Sequence, residues 1–307
     1  MLSGQLYAEK ILSMLWGFFE KIVIADRVAV LVNQVFDQYT KYSGFSIVLA
    51  VVLFAVQIYC DFSGYSDMAI GAARVMGFSL MQNFKRPYFA KSVSDFWRRW
   101  HIALSSWLRD YVYIPLGGNR RGKVRKYFNI MVTFLVSGLW HGANWTYVIW
   151  GLLHGVYQVL GGLLKPFRDG VTKAFHIDKN SFSNRLFRIL FTFILVDFAW
   201  IFFKAPSAGA AFQIIGRMFG TFNPWVLLDG TVYTLGLDQK DFFVMLFSIG
   251  VLLLVSLLRR NHSLSRELDK QNIVFRWGLY FGAIFFVLIF GIYGPSFNAS
   301  QFIYFKF

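Results

Sequence analysis

The chain is poor in cysteine and in charged residues. Cys60 is the only cysteine among 307 residues, so an intrachain disulfide and a cysteine-based metal site are both excluded. Charged residues make up 15% of the sequence, whereas soluble domains carry about 25%. Hydrophobic residues make up 56%, and they form long continuous stretches. These values predict an integral membrane protein.

The sequence also lacks the patterns of several other kinds of protein. The apolar stretches do not alternate with polar residues, which excludes the strand pattern of an outer-membrane barrel. The sequence contains neither a Rossmann fingerprint nor a phosphate-binding loop, so nucleotide hydrolysis has no support. No two of the five histidines form a close metal-binding pair in the sequence, and we therefore expect no metal site. The remaining prediction is an all-α membrane protein.

About eight apolar stretches are candidates to cross or enter a bilayer. Several are shorter than the roughly 20 residues that a full span requires, which favours tilted, broken, re-entrant or interfacial helices. The stretches are 11–36, 45–60, 62–80, 127–140, 142–164, 186–203, 241–258 and 273–293.

The start of the chain lacks the features of a signal peptide. Residues 1–10 contain no apolar core and no small-residue cleavage site. The first apolar stretch begins almost at once and contains scattered charges, which predicts an amphipathic helix that packs against other parts of the protein. These charged residues are Glu9, Lys10, Glu20, Lys21 and Asp26.

Basic residues are concentrated in one loop. The net charge is +15, and eleven basic but only two acidic residues lie between Lys85 and Lys126. Between membrane helices, such a cluster indicates a cytoplasmic loop under the positive-inside rule rather than a nucleic-acid site. The stretch 127–164 then crosses outward and returns. We expect a multi-pass protein of the cell (inner or plasma) membrane, with the lipid bilayer as its surroundings.

A histidine lies in the apolar stretch after this loop. If a helix begins at Tyr127, His141 lies roughly 20 Å into the hydrocarbon. An ionisable group at this depth favours a functional site, although a core histidine with one hydrogen bond also fits. Burial favours the uncharged imidazole, which can accept a proton.

Small and polar residues surround this histidine. Gly138 and Gly142 have the spacing that lets another helix approach closely. Gly142 and Asn144 also favour a break in the helix. Asn144 is a candidate to hydrogen-bond the imidazole of His141 and fix its tautomer.

The basic loop contains the pattern of an amphipathic helix, with Ser94 as the predicted N-cap. The pattern is typical of an anchor at the membrane interface. In the alternative, the polar face lines a polar cavity. The apolar stripe comprises Trp97, Trp100, Leu104, Leu108 and Tyr111, and the polar face comprises Arg98, His101, Ser105 and Arg109.

Two sequence blocks resemble signatures of the membrane-bound O-acyltransferase family. Ser92–Gly118 contains S-V-S-D-F-W-R-R-W-H-I-A-L-S-S-W-L-R-D-Y-V-Y-I-P-L-G-G, and Ser137–Gly155 contains S-G-L-W-H-G-A-N-W-T-Y-V-I-W-G-L-L-H-G. Within that family, Asp61–Gly71 and the ending Ser300–Phe307 resemble the alginate O-acetyltransferase branch. The resemblance also implies helices upstream of this chain. We therefore expect residues 1–307 to form a single transmembrane domain that lacks those helices.

The resemblance implies a helix bundle around a tunnel, in which an acyl group moves from a thioester donor to a hydroxyl. It implies that His141 and His101 are catalytic and that Asn144 and Trp140 support them. His154 also matches the family pattern, and we expect it to be structural because it lies about 220° around an ideal helix from His141. Candidates to bind the phosphates of the donor are Arg98, Arg99 and Arg109. In the alternative, each arginine is a charge at the membrane surface that sets the topology.

The implied donor is acetyl-CoA, with no bound cofactor. The implied acceptor is an extracytoplasmic polysaccharide such as alginate, reached directly or through an extracytoplasmic acetyltransferase partner. One alternative is a non-catalytic scaffold or channel of a glycan-export complex, which leaves His141 and His101 without a role. The other is transfer of D-alanine or another acyl group.

The charge distribution predicts the orientation of the basic loop. In a Cys60→Ser background, a cysteine introduced by Asn119→Cys should react with membrane-impermeant maleimide only after the cytoplasmic face is exposed, because positively charged loops stay inside. Labelling is read by mass shift in intact cells and in inverted vesicles. Reaction in intact cells would contradict the orientation.

Overall fold

Helices form all the regular structure in the part of the chain that the computed structural model describes, which is residues 11–258, 268 and 270–293. The prediction of an all-α integral membrane protein is confirmed, whereas a tunnel and a single domain over residues 1–307 remain predictions. In chain order the helices are α1 Asp26–Asp37, α2 Phe45–Val75, α3 Val93–Trp97, α4 Ile102–Leu108, α5 Gly122–His141, α6 Trp145–Leu163, α7 Lys165–Ala174, α8 Phe182–Lys204, α9 Ala208–Gly220, α10 Gln239–Leu258 and α11 Ile273–Phe290.

The chain forms two compact units. The first combines the residues before Asn83 with those after Arg217, and the second comprises residues 83–217. The two blocks that carry His101 and His141 both lie in the second unit. Of the predicted features at the chain ends, Glu9, Lys10 and the segment 300–307 lie outside the described residues.

The first unit begins with a continuous helical segment. Residues 11–18 lead into a π-helix, Phe19–Ala25, which leads into α1. Glu20 and Asp26 are buried, as expected for a charged helix that packs against other parts of the protein. Because a π-helix joins residues five apart, it places Lys21 beside Asp26, and Lys21 Nζ donates to Asp26 Oδ1 at 2.8 Å.

The same lysine also reaches α2. Lys21 Nζ donates to Asp61 Oδ1 at 2.6 Å, near the middle of this 31-residue helix. The predicted division into stretches 45–60 and 62–80 is therefore wrong. A lysine partner compensates the cost of burying the carboxylate, so the helix continues through Asp61 and spans about 46 Å.

Two glycines let these helices touch. A Cβ atom on Gly64 would lie 2.7 Å from the backbone oxygen of Gly17, so the contact tolerates no side chain. Arg27 connects α1 to the last helices of the unit. Its guanidinium donates to the Phe290 backbone oxygen at 2.8 Å and to Asp241 Oδ1 at 3.1 Å. Within the Asp61–Gly71 motif, Asp61 therefore pairs with Lys21, and Gly64 permits the close contact with Gly17.

In the second unit, α5 and α6 form an antiparallel hairpin. The connection is residues 142–144, and Gly142 has φ 149° and ψ 152°, a conformation open essentially only to glycine. The predicted helix break is confirmed. A Cβ on Gly138 would collide with the Tyr147 backbone oxygen, and one on Gly151 with that of Phe134. Gly138 therefore has the predicted close helix contact, whereas Gly142 ends the helix.

Among the described residues, four helices are long and apolar enough to cross a membrane, or up to five if α6 and α7, which meet at a 49° bend, form one span. About eight stretches are predicted to cross or enter the bilayer, and four of the described helices meet the requirements for a full span. The helical segment over residues 11–37 and the α5 helix are not among them, and the two predicted stretches 45–60 and 62–80 belong to the one helix α2. The four spans are α2, α8, α10 and α11.

The hairpin contact predicts a stability difference between two glycines of α6. Gly151→Ala should destabilise the protein by about 1–3 kcal/mol, because the methyl group forces the two backbones apart. Gly161→Ala should be neutral or slightly stabilising, because no atom lies within 4 Å of its Cβ position and alanine favours the helix. Thermal unfolding in detergent compares them. Equal midpoints would contradict this packing.

Candidate active site

His141 lies in a group of aromatic rings. It is the last residue of α5 and is 2% exposed. Its ring centroid lies 4.9 Å from Trp140, 5.0 Å from Trp150 and 5.3 Å from Phe203, each in an edge-to-face arrangement. Tyr147 lies farther away, at 6.5 Å. These contacts hold the imidazole in one orientation.

Two other helices supply most of these rings. Trp150 comes from α6, which Gly151 brings close to α5, and Phe203 comes from α8. Trp200, also on α8, stacks on Trp150 at 5.7 Å with an interplanar angle of 19°. Sequence reasoning missed Trp150 and Phe203 as neighbours of His141. Trp150 stood inside the second family block, but nothing in the spacing indicated which ring would face the imidazole.

The predicted amphipathic helix around His101 is broken in two. His101 stands between α3 and α4 with φ 44° and ψ 55°, a left-handed conformation that few residues other than glycine adopt. Asn83 makes the break possible. Its backbone oxygen accepts from Ile102 N at 3.0 Å and its Oδ1 from Ala103 N at 3.2 Å, so the first N–H groups of α4 are satisfied.

The ends of the broken helix also differ from the prediction. The N-cap of α3 is Ser92, whose hydroxyl accepts from Asp95 N at 3.1 Å; Ser94 instead donates to Gln158. The apolar stripe is buried as predicted up to Leu108. Tyr111, however, is 68% exposed, because the π-helix Arg109–Tyr113 follows α4 and shifts the helical phase.

Trp140 lies between the two candidate histidines. Its ring centroid is 6.0 Å from that of His101 and 4.9 Å from that of His141. The indole is also 49% exposed, so the Trp140 ring lies between the two buried imidazoles and the protein surface. Burial lowers the pKa of His101 to about 4, and this ring is therefore uncharged at neutral pH. The structure thus brings together three of the predicted site residues.

Asn144 has a different contact from the predicted one. It is the N-cap of α6, and its Oδ1 accepts from Thr146 N at 3.1 Å. An amide in this place starts the helix after the hairpin turn. The expected hydrogen bond to His141 is absent from the contacts of Asn144 in the described part of the chain.

The three candidate arginines differ in their partners. Arg99 Nε donates to Asp95 Oδ1 at 2.9 Å, and Arg109 Nε to Asp110 Oδ1 at 2.7 Å. Arg98 is exposed and makes no ion pair within the described residues. An anionic ligand would find the Arg98 guanidinium available, whereas Arg99 and Arg109 would share theirs with a carboxylate.

His154 lies on α6 and not on the helix of His141, so the predicted angle between them around one helix does not apply. It is fully buried, and its Nδ1 accepts from Trp97 Nε1 at 3.2 Å. Both rings of this pair contact Trp150. No group of three or more metal-ligating side chains occurs in the described residues.

Comparisons with known proteins identify the same family that the two sequence blocks resemble. The model of the membrane-bound O-acyltransferase family matches residues 3–199. A probable alginate O-acetylase of Pseudomonas syringae pv. tomato is 44% identical over 213 residues, which is 69% of this chain and 39% of the relative. The probable alginate O-acetylase of Azotobacter vinelandii is 41% identical over 223 residues, covering 73% and 42%.

A peptidoglycan O-acetyltransferase of Helicobacter pylori is 41% identical over 206 residues, covering 66% of this chain and 37% of the relative. The teichoic acid D-alanyltransferase of Bacillus subtilis is 33% identical over 110 residues, which is 34% of this chain and 28% of the relative. The chain spans about two fifths of the length of the alginate and peptidoglycan relatives.

Proposed function

This chain belongs to the membrane-bound O-acyltransferase family, and we propose that the protein transfers an acetyl group from a thioester donor to a hydroxyl of an extracytoplasmic polysaccharide. The observation that carries the proposal is the arrangement around Trp140. Two distant sequence blocks each supply one histidine, and both imidazoles pack against this ring. A scaffold or channel would not require two buried histidines at one aromatic side chain.

In the proposed reaction, His141 is the general base. Its uncharged imidazole takes the proton of the acceptor hydroxyl as the oxygen attacks the thioester carbonyl. The C–O ester bond forms, the C–S bond breaks, and the imidazolium returns the proton to the departing thiolate. His101, or a backbone N–H, stabilises the negative oxygen of the tetrahedral intermediate.

The aromatic rings exclude water from the reaction. His141 is 2% exposed, so a thioester bound beside it is protected from hydrolysis. Substrates reach the imidazole only when a neighbouring ring moves. Trp140 is half exposed and touches both histidines, and we propose that it is the ring that moves. In this proposal, a tunnel opens at Trp140.

The donor enters from the cytoplasmic side, where the basic loop Lys85–Lys126 lies by the positive-inside rule. We propose acetyl-CoA as the donor, with its phosphates bound first by Arg98, since the guanidinium of this residue is in no ion pair within the described residues. Arg99 and Arg109 add positive charge at the same face.

The acceptor is proposed from the printed names of the relatives. Alginate and peptidoglycan are both glycans outside the cytoplasm, and the relatives named for their O-acetylation cover about two thirds of this chain or more. The D-alanyltransferase relative covers a third. We therefore favour acetyl over D-alanyl transfer, directly to the glycan or through an extracytoplasmic acetyltransferase partner.

The central test removes the proposed base. In cells that make the full-length protein, His141→Ala should abolish acetylation of the surface glycan, because general base catalysis contributes roughly 10²–10⁴-fold to the rate. Mass spectrometry of the glycan identifies both the acyl group and the acceptor, and an immunoblot reports the amount in the membrane. Wild-type acetylation in this variant would favour the scaffold.

The role of His101 is tested against a histidine with the same backbone conformation. His101 and His176 have φ 44° and 50°, and asparagine tolerates this region. His101→Asn should lower turnover by about 10²-fold through loss of oxyanion stabilisation, whereas the exposed His176→Asn should not. Initial rates in membranes measure the difference. Equal rates would return His101 to a structural role.

A further inference from the structure

We propose that the hydrogen bond from Trp97 to His154 positions the catalytic imidazole of His141, which makes Trp97 and His154 positioning residues. The inference rests on the proposed function. Trp97 Nε1 donates to His154 Nδ1 at 3.2 Å, and both side chains are buried. The bond joins the last residue of α3 to the middle of α6, and therefore joins the two blocks that carry the candidate histidines.

The Trp150 ring packs against both members of this pair and against His141. Its ring centroid lies 5.8 Å from Trp97 and 5.1 Å from His154. It also meets the His141 ring edge-to-face at 5.0 Å, with an interplanar angle of 86°. Because Trp150 is fully buried, a shift of either partner moves it against the imidazole.

The bond also fixes the helix that ends at His141. Trp97 packs edge-to-face on Phe134 of α5 at 5.1 Å, and it lies four residues before His101 in the chain. The Trp97 indole therefore contacts both helices of the α5–α6 hairpin. Trp97 also belongs to the segment that leads to His101.

The chemistry of His154 suits an acceptor and not a proton carrier. Since Nδ1 accepts from Trp97, the neutral ring carries its hydrogen on Nε2. Nε2 is buried without a hydrogen-bond partner in the described residues. A buried indole N–H left without an acceptor costs about 1–3 kcal/mol, so His154 holds the Trp97 ring in a single orientation.

The kinetic test uses the full-length protein in membranes. Trp97→Phe keeps a ring but removes the donor, and it should lower kcat about 10–100-fold with KM unchanged, since small misplacements have effects of this size. His154→Gln keeps an acceptor and should retain more activity than His154→Leu. The double variant Trp97→Phe/His154→Leu should be no slower than either single change. The control Trp107→Phe, on a half-exposed ring outside this cluster, should match the wild type.

A spectroscopic test separates this inference from the proposed function. In full-length protein labelled with ¹⁵N-histidine, the His141 signals are assigned by their loss in His141→Ala. They should shift in Trp97→Phe and His154→Leu but not in Trp107→Phe, whether or not acyl transfer is observed. Unchanged His141 signals, or full kcat in both Trp97→Phe and His154→Leu, would overturn the positioning role. Absence of transfer in the wild type would overturn only the proposed function.

Discussion

The contact between the backbones of α5 and α6 is the constraint on which the candidate site depends. At Gly138 and Gly151, each helix occupies the space that a side chain on the other would need. The close approach of α5 and α6 brings the Trp150 ring into contact with the His141 ring. Small residues at a helix contact let two backbones approach closely, and close packing of this kind favours helix association. The same glycines therefore stabilise the hairpin and orient the imidazole.

Several buried polar side chains have partners within their own unit, by different means in the two units. In the first unit, Lys21 pairs with Asp26 and Asp61, and Arg27 donates to backbone oxygens. In the second unit, the Trp97 indole donates to His154. Leaving such groups without partners would cost several kcal/mol each in a medium without water. Within the two family blocks, the pair of Trp97 and His154 thus has a role as partners within the fold.

The two candidate histidines stand where regular helix ends. His141 precedes a glycine that ends α5, and His101 has a left-handed conformation between α3 and α4. Strained backbone of this kind costs about 1–3 kcal/mol and clusters at functional sites. In this protein Asn83 compensates part of the cost by accepting from the first N–H groups of α4. A continuous helix through His101 would present its imidazole in a different direction.

The amino-acid sequence alone predicted the membrane class, most helix positions and the family, because hydropathy, charge and local motifs are properties of neighbouring residues. It also singled out the two histidines, whose catalytic role stays a proposal. The tertiary structure decided that residues 45–75 form one helix, that His101 interrupts another, and that Trp150 and Phe203 enclose His141. Each of these depends on a partner distant in the chain: Lys21 for Asp61, Asn83 for the start of α4, and α6 and α8 for His141. Such contacts leave no periodic signal in a single sequence, and only the packed helices bring the partners together.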